Sequence, residues 1–208
     1  MSAEGLTIYG ARFSRAARCI WLATELDLPF EHVDVAFTDP SLKAAPYLDK
    51  NPMGKVPTID DRGYVLTESM AINFYLAQKK PNALWPNDVR MQARILQWSF
   101  WGVWEVELQG IALGMSSGMA AGGAKNPDAA NEARKRLARP LTALNGVLEA
   151  HPYILGDAFT LADLNVAGIL WPVHFSRADL APFMGVADWL ARCHARPAAM
   201  ASFGAPTW

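Results

Sequence analysis

The sequence predicts a compact α/β unit followed by an all-helical one, on three observations. Across residues 1–80 the apolar spacing alternates between strand-like and helix-like, in the order β-α-β and then β-β-α. The segment KKPNALWPNDV, with two prolines and two asparagines, then breaks all periodicity, which puts a linker at 81–87. From 88 to 208 the apolar residues recur only at helical spacing, and nothing reads as strand.

Each element has its own local reason. Leu6–Tyr9 is a short apolar strand, and Ala16, Cys19, Ile20, Ala23 and Leu26 place a helix over 15–26. LDLPFEHVDV turns into a second strand carrying Phe30, Val33 and Val35. The proline-punctuated DPSLKAAPYLDKNPMG allows at most a short helix. KVPTIDDRGYVLTES reads as two strands joined at Asp61-Arg62-Gly63, and a helix with Ile72, Tyr75 and Leu76 starts at Ser69. Past the linker, helices are expected over 88–116, 127–150, 161–173 and 187–196. Thr160 and Asp163 in FTLAD have capping-box spacing ahead of an apolar run, a structural role rather than a chemical one.

Composition narrows the class of function. Of 208 residues, 51% are hydrophobic and 19% charged, enough apolar material for a sizeable core. A net charge of −1 without any Lys/Arg run gives no footprint for nucleic acid or a membrane surface, and no apolar stretch approaches the roughly 20 residues of a membrane span. Cys19 and Cys193 stand alone and the four histidines are scattered, so no metal site is expected. The N-terminus has no basic-then-apolar leader pattern, and a reducing cytoplasm is the expected location.

Chemistry concentrates in two places. In NPMGKVPTIDDRGYVLTESMAI, Pro57 cannot donate to a sheet ladder and belongs at a strand start, edge or bulge. With a cis Val56–Pro57 bond, the backbone of Val56 would turn outward to pair with an extended, peptide-like ligand. Ser69 opens a helix, whose N-terminus with a hydroxyl suits a carboxylate or phosphate, although an isolated serine there more often only caps its helix. Glu68 beside it offers a partner for an ammonium group, so the pair suits the two charges of an amino acid. In IYGARFSRAARCIWL, Tyr9 and Ser14 are the candidate donors; Tyr9 also reads as a strand aromatic and Ser14 as a plain cap. Cys19 lies one and a half turns into the helix and reads as core.

NPMGKVPTI and LTESMAI, after YG…S…R…WLATEL and before NALWPND and FTLADL, make the chain resemble the cytosolic glutathione transferases over nearly its whole length. The resemblance implies a thioredoxin-like N-terminal domain (1–80), a linker (81–87) and an all-helical C-terminal domain (88–208). It also implies a homodimer with glutathione as co-substrate. By analogy, Val56 before a cis-proline pairs with the cysteinyl unit, Glu68 and Ser69 hold the γ-glutamyl end, and Lys43 takes the glycine carboxylate. Lys55 lies beside these, with a role confined to backbone or surface charge as its alternative. Ser14 falls where serine-type members carry the hydroxyl that stabilises the thiolate, and Tyr9 where tyrosine-type members carry their phenol; Ser14 is the favoured assignment, although Phe13 replaces the usual proline. Bacterial beta-type members have a cysteine in that column, and this chain does not.

Trp101, Trp104, Glu105 and Leu108 follow i, i+3, i+4 and i+7 spacing, which by itself more often marks core than pocket. In the family that helix passes the active site and the subunit interface, so Phe13, Trp104 and Leu108 are assigned to a hydrophobic electrophile pocket, and Glu105 to the partner's glutathione or an intrahelical pairing. The glycine-rich LGMSSGMAAGGAKNP is expected to lie loosely over it and to gate access. The reaction implied is addition or substitution by the glutathione thiolate, which is also competent for peroxide reduction. The different reading is a non-catalytic binder of glutathione or apolar ligands; a third is a specialised glutathione-dependent isomerase, reductase or dehalogenase.

Overall fold

The computed structural model describes residues 5–119 and 124–203. The described residues divide into two compact units: 5–82 together with 197–203, and 83–196.

The first unit is built on a four-stranded sheet: β1 (Leu6–Tyr9), β2 (Phe30–Val33), β3 (Thr58–Asp61) and β4 (Tyr64–Thr67), in the order β2-β1-β3-β4. β1 and β2 are parallel, joined across helix α1 (Ala16–Glu25), while β3 and β4 run antiparallel. Ile8 and Ile59 are paired across β1 and β3 and fully buried, as are Ile20 and Leu22 of α1. A 3-10 turn (Pro40–Lys43) and a one-turn helix α2 (Ala45–Leu48) occupy the proline-rich connection. The hairpin turns at Arg62 and Gly63, both at positive φ (57° and 88°), the backbone that tightly coupled antiparallel strands require. Helix α3 (Ser69–Ala77) follows β4 directly.

The second unit is helical. From Asp88, whose carboxylate caps Met91 N–H at 2.8 Å, α4 (Val89–Trp101) runs into a π-helical turn (Gly102–Glu107), then α5 (Leu108–Gly114) and a second π-helical stretch (Met115–Met119). The single helix expected over 88–116 is thus interrupted by widened turns. Glycines sit where this rod meets its neighbours: a Cβ on Gly102 would lie 2.8 Å from the Ile169 side chain, and one on Gly114 would lie 2.7 Å from Pro172. The remaining helices are α6 (Pro127–Ala150), α7 (Leu161–Ile169), α8 (Trp171–Phe175) and α9 (Met184–His194). The helix expected over 161–173 breaks at Leu170, because Pro172 has no N–H and cannot continue α7; it serves instead in the first turn of α8. The last helix, α10 (Pro197–Ser202), belongs to the first unit and packs on α1, with Phe203 edge-on to Trp21 at 5.8 Å.

Asp163 organises the core of the helical unit. Its fully buried carboxylate accepts from Thr160 N–H (2.9 Å), the Thr160 hydroxyl (3.0 Å), Ile154 N–H (2.8 Å) and the Trp189 indole (3.0 Å). Burial raises its carboxyl pKa, and the four donors work against that rise. One side chain therefore fixes the start of α7, the preceding loop and α9.

Candidate active site

Sheet register gathers the candidate residues at one end of the first unit. Tyr9 pairs with Thr58, and Thr58 with Thr67, so Gly10, Val56–Pro57 and Glu68–Ser69 all lie just past the same edge of the sheet. Gly10 is the wedge between them. At φ 131°, a Cβ on it would stand 2.7 Å from Ala16 Cβ and 2.9 Å from Val56 Cβ, so only glycine lets α1 and the Val56 loop approach this closely. The strand-to-helix loop is anchored along β2 by Gly10 N–H to Val33 O (3.0 Å), Ala11 N–H to Val35 O (2.8 Å) and His32 Nε2 to Gly10 O (2.8 Å). Arg12 ties the same loop to the Ala201 carbonyl of α10 at 2.5 Å.

Ser14 is half-buried just before α1. Its oxygen accepts Ala16 N–H at 3.1 Å and its hydroxyl donates to the Ala11 carbonyl at 2.6 Å. To serve a ligand, the hydroxyl must rotate away from Ala11, keeping its place at the helix N-terminus. Tyr9 sits differently: its ring packs edge-on to Tyr47 (6.0 Å) and lies under Lys50 Nζ (5.9 Å), beside α2. Cys19 is fully buried; burial pushes its thiol pKa well up, with Arg18 opposing, so it is no nucleophile.

The Val56–Pro57 peptide is cis. Among the described residues, neither backbone polar group of Val56 meets a partner in the chain, so both stand available to an extended ligand. Buried Asn51 shapes the approach: its amide donates to Lys55 O (2.8 Å) and Thr58 Oγ (3.2 Å), and its carbonyl accepts Met53 N–H (3.1 Å). The Tyr47 hydroxyl adds a bond to Lys55 O at 2.7 Å. These two organisers escape a reading of sequence, because an asparagine before a proline signals only a turn. Lys43 spends its ammonium on the carbonyls of Met53 (3.1 Å) and Gly54 (2.9 Å), bracing that loop, while the Lys55 side chain is exposed.

Glu68 is exposed at φ 70°, a strained backbone for a non-glycine residue, and its side chain makes no cap bond to α3. The N–H groups of Ser69, Met70 and Ala71 likewise meet no acceptor among the described residues. The result is a helix N-terminus with uncommitted donors and an adjacent carboxylate, suited to a carboxylate and an ammonium respectively. Ser69 itself is buried against α1, where the Arg18 guanidinium meets its hydroxyl at 3.5 Å. Sequence spacing does not single out Arg18, which occupies a helical position between apolar residues.

In the second unit, Trp104 and Leu108 are exposed (86% and 72%), as is Glu105. The π-helical turn runs through this stretch. Phe13 is half-buried in the β1–α1 loop of the first unit. Residues 120–123 of the glycine-rich segment lie outside the described residues; Gly118, within it, has φ 115°. Among the described residues no cluster of three or more His, Cys, Asp or Glu is placed to hold a metal ion, and no helix is long and apolar enough to cross a membrane.

Comparison with known proteins agrees with this geometry. The family model for the glutathione S-transferase N-terminal domain matches residues 4–78, and that for the C-terminal domain matches 104–197. A glutathione S-transferase of Hyoscyamus muticus is 33% identical over 178 residues, covering 78% of this chain and 80% of that protein. Glutathione S-transferase 1 of Zea mays is 30% identical over 169 residues, 77% of each. A glutathione transferase from Burkholderia graminis, solved with two glutathione molecules bound per subunit, superposes with a TM-score of 0.83 at 25% identity, covering 98% of this chain and 89% of that one. With two consecutive domain matches over the folds that carry them, and a relative aligned over most of both chains, the chain belongs to the glutathione S-transferase family.

Proposed function

We propose that the chain is a glutathione transferase in which Ser14 stabilises the thiolate of bound glutathione for attack on a hydrophobic electrophile. The observation that carries this is the convergence, at one end of the sheet, of the Ser14 hydroxyl, the open backbone of Val56 and the uncapped N-terminus of α3. Glutathione is an extended tripeptide with two carboxylates and one ammonium. Val56 pairs with its cysteinyl backbone, the α3 N-terminus and Ser69 take the γ-glutamyl carboxylate, and Glu68 takes the ammonium. Lys43 is assigned to the glycine carboxylate, for which its ammonium must turn from the carbonyls of Met53 and Gly54, and exposed Lys55 is the second candidate.

A free thiol near pKa 8.5 is only a few per cent ionised at pH 7, so a fall of about two units makes the thiolate dominant. Ser14 contributes by turning its hydroxyl from the Ala11 carbonyl to the sulfur, with the α1 N-terminus adding a favourable dipole. The thiolate then attacks the electrophilic carbon, forming the C–S bond as the leaving group departs, or adding across an activated double bond. Phe13, Trp104 and Leu108 are the apolar groups assigned to the electrophile, and Glu105 to glutathione of a second subunit in a homodimer. Cytoplasmic action fits the thiol chemistry, since both cysteines are free.

The test is a pH titration of bound glutathione's thiolate absorbance in wild type, Ser14→Ala and Tyr9→Phe, with binding measured separately. A raised thiol pKa in Ser14→Ala alone supports the assignment. The same effect in Tyr9→Phe alone moves the donor to Tyr9. Binding without any lowering of the wild-type thiol pKa favours a non-catalytic binder, a reading supported by the bond Ser14 already makes to Ala11.

A further inference from the structure

A cleft of about 340 Å³ lies within the helical unit, lined by none of the residues assigned to glutathione or to the electrophile. Three segments meet there: the second π-helical stretch (Met115–Met119), the start of α6 and the loop after α8. Asn126 N–H donates to Ser116 O at 2.9 Å and fastens the first two together. Arg177 takes the left-handed backbone (φ 51°) that ends α8, where glycine is usual, and lines the cleft. The lining is cationic: Lys125, Arg134 and Arg177 stand against a single carboxylate, Asp179, an excess of two positive charges. Among the described residues, Lys125 and Arg177 make no side-chain hydrogen bond or ion pair, and Arg134 donates to the Asn131 amide oxygen at 3.1 Å. Asp128 and Glu132 of α6 do not line the cleft, and Glu132 pairs with Lys135 at 2.8 Å. In the same lining the Ser117 hydroxyl oxygen is buried without a hydrogen-bond partner among the described residues, a cost that a ligand oxygen would remove. Pro127, Ala130 and Ala178 add apolar surface.

We propose that this cleft binds a small organic phosphate monoester. A phosphate monoester carries about −1.5 to −2 charge at neutral pH, which matches the two uncompensated cations. The guanidinium forks of Arg134 and Arg177 suit its oxygens, and the Ser117 hydroxyl has a proton to donate to another. A carboxylate or a sulfate ester brings one charge and leaves one cation unmatched. The cleft has room beyond a bare oxyanion, and Pro127, Ala130 and Ala178 take the organic part. None of these residues belongs to the glutathione assignment, so the inference stands independently of it.

Calorimetry on the full chain tests it, with phenyl phosphate, phenyl sulfate and inorganic phosphate as probes in a buffer free of phosphate. Wild type binds one phenyl phosphate per chain, about tenfold more tightly than phenyl sulfate, which has one charge fewer, or inorganic phosphate, which has no organic part. Arg134→Gln and Arg177→Gln each weaken phenyl phosphate about tenfold, the scale of a hydrogen bond to a charged group. Both arginines are exposed, so these variants keep the fold, which thermal melts check. Ser117→Ala also weakens the probe, without lowering the melting temperature of the free protein, because the deleted hydroxyl has no partner to lose. Asp179→Asn tightens binding: it removes the opposing charge while its Oδ1 still accepts Ala181 N–H (2.9 Å in wild type). The Kd for glutathione is unchanged in all four variants. The proposal is overturned if wild type does not bind phenyl phosphate, or if phenyl sulfate or inorganic phosphate binds as tightly. It is overturned equally if an arginine or serine variant binds the probe as wild type does, or if Asp179→Asn fails to tighten it. A parallel loss of glutathione affinity in the arginine variants also overturns it, since the probe would then report on the glutathione site.

Discussion

Replacing Gly10 by alanine tests whether the wedge between α1 and the Val56 loop holds the site together. The added Cβ would lie 2.7 Å from Ala16 Cβ and 2.9 Å from Val56 Cβ, where carbons normally rest about 3.5–4.0 Å apart, so the neighbours must part by about 1 Å. Such overpacking costs about 1–3 kcal/mol. The φ of 131° lies in a region that L-residues avoid, which adds about 1–3 kcal/mol. Together these amount to about 2–6 kcal/mol, a large part of the roughly 5–15 kcal/mol that stabilises a typical domain. Gly63→Ala is the control: its φ is 88° but nothing lies within 4 Å of the new carbon, so only backbone strain of about 1–2 kcal/mol applies. Urea unfolding gives the stability difference and calorimetry the glutathione affinity. Gly10→Ala should be the less stable of the two and should weaken glutathione, because Val56 moves with the added carbon; Gly63→Ala should leave affinity alone. A Gly10→Ala protein as stable as Gly63→Ala, binding glutathione as wild type does, would refute the reasoning.

Acid should loosen the helical unit through its histidine pair. His174 and His194 stack at 4.6 Å; burial lowers both pKa values, that of His194 to about 3 with His174 adding to the effect. The unfolded chain therefore binds protons that the folded one refuses, so stability is full above pH 6.5 and falls as pH drops towards 3. The limiting slope is about 1.4 kcal/mol per pH unit for His194 and less for half-buried His174. In His194→Gln the urea midpoint should depend less on pH between 7 and 5; an unchanged slope would remove His194 as the cause. Asp163→Ala leaves buried donors on Thr160, Ile154 and Trp189 without their acceptor, and should cost about 3–5 kcal/mol in thermal or urea unfolding; a loss below about 1 kcal/mol would mean that water replaces the carboxylate. Asn51→Ala should cost about 1–3 kcal/mol and weaken glutathione while sparing the bound thiol's pKa, because the loop before Val56 loses three bonds. Wild-type affinity in that variant would show the loop to be held by Tyr47 and Lys43 instead.

Much of the fold is written in local patterns. Alternation in Leu6–Tyr9, the Asp61-Arg62-Gly63 turn and the helical spacing after Ala16 each state their element within a few residues, because strand pleat, turn φ and helix period are properties of short segments. Thr160 and Asp163 are legible in the same way. The further roles of Asp163, as acceptor for Trp189 and Ile154, are not, since those donors are 26 and 9 residues away. Both helix interruptions escaped the apolar spacing: it runs on through Pro172, whose missing N–H ends α7, and no residue in Gly102–Glu107 marks a widened turn.

By itself the sequence determined the order of strands and helices in the first unit and named the candidate residues Ser14, the Val56–Pro57 step and Glu68–Ser69. These are local or motif-bound facts. Only the tertiary structure decided how those residues meet. The register Tyr9–Thr58–Thr67 brings three distant segments to one sheet edge, and Gly10 sets their separation. Arg18 comes under Ser69, 51 residues away, and Pro197–Ser202 returns to pack on α1 and fix the loop that carries Ser14. Such contacts depend on shape and burial between segments far apart in the chain, and no periodicity within a segment encodes them.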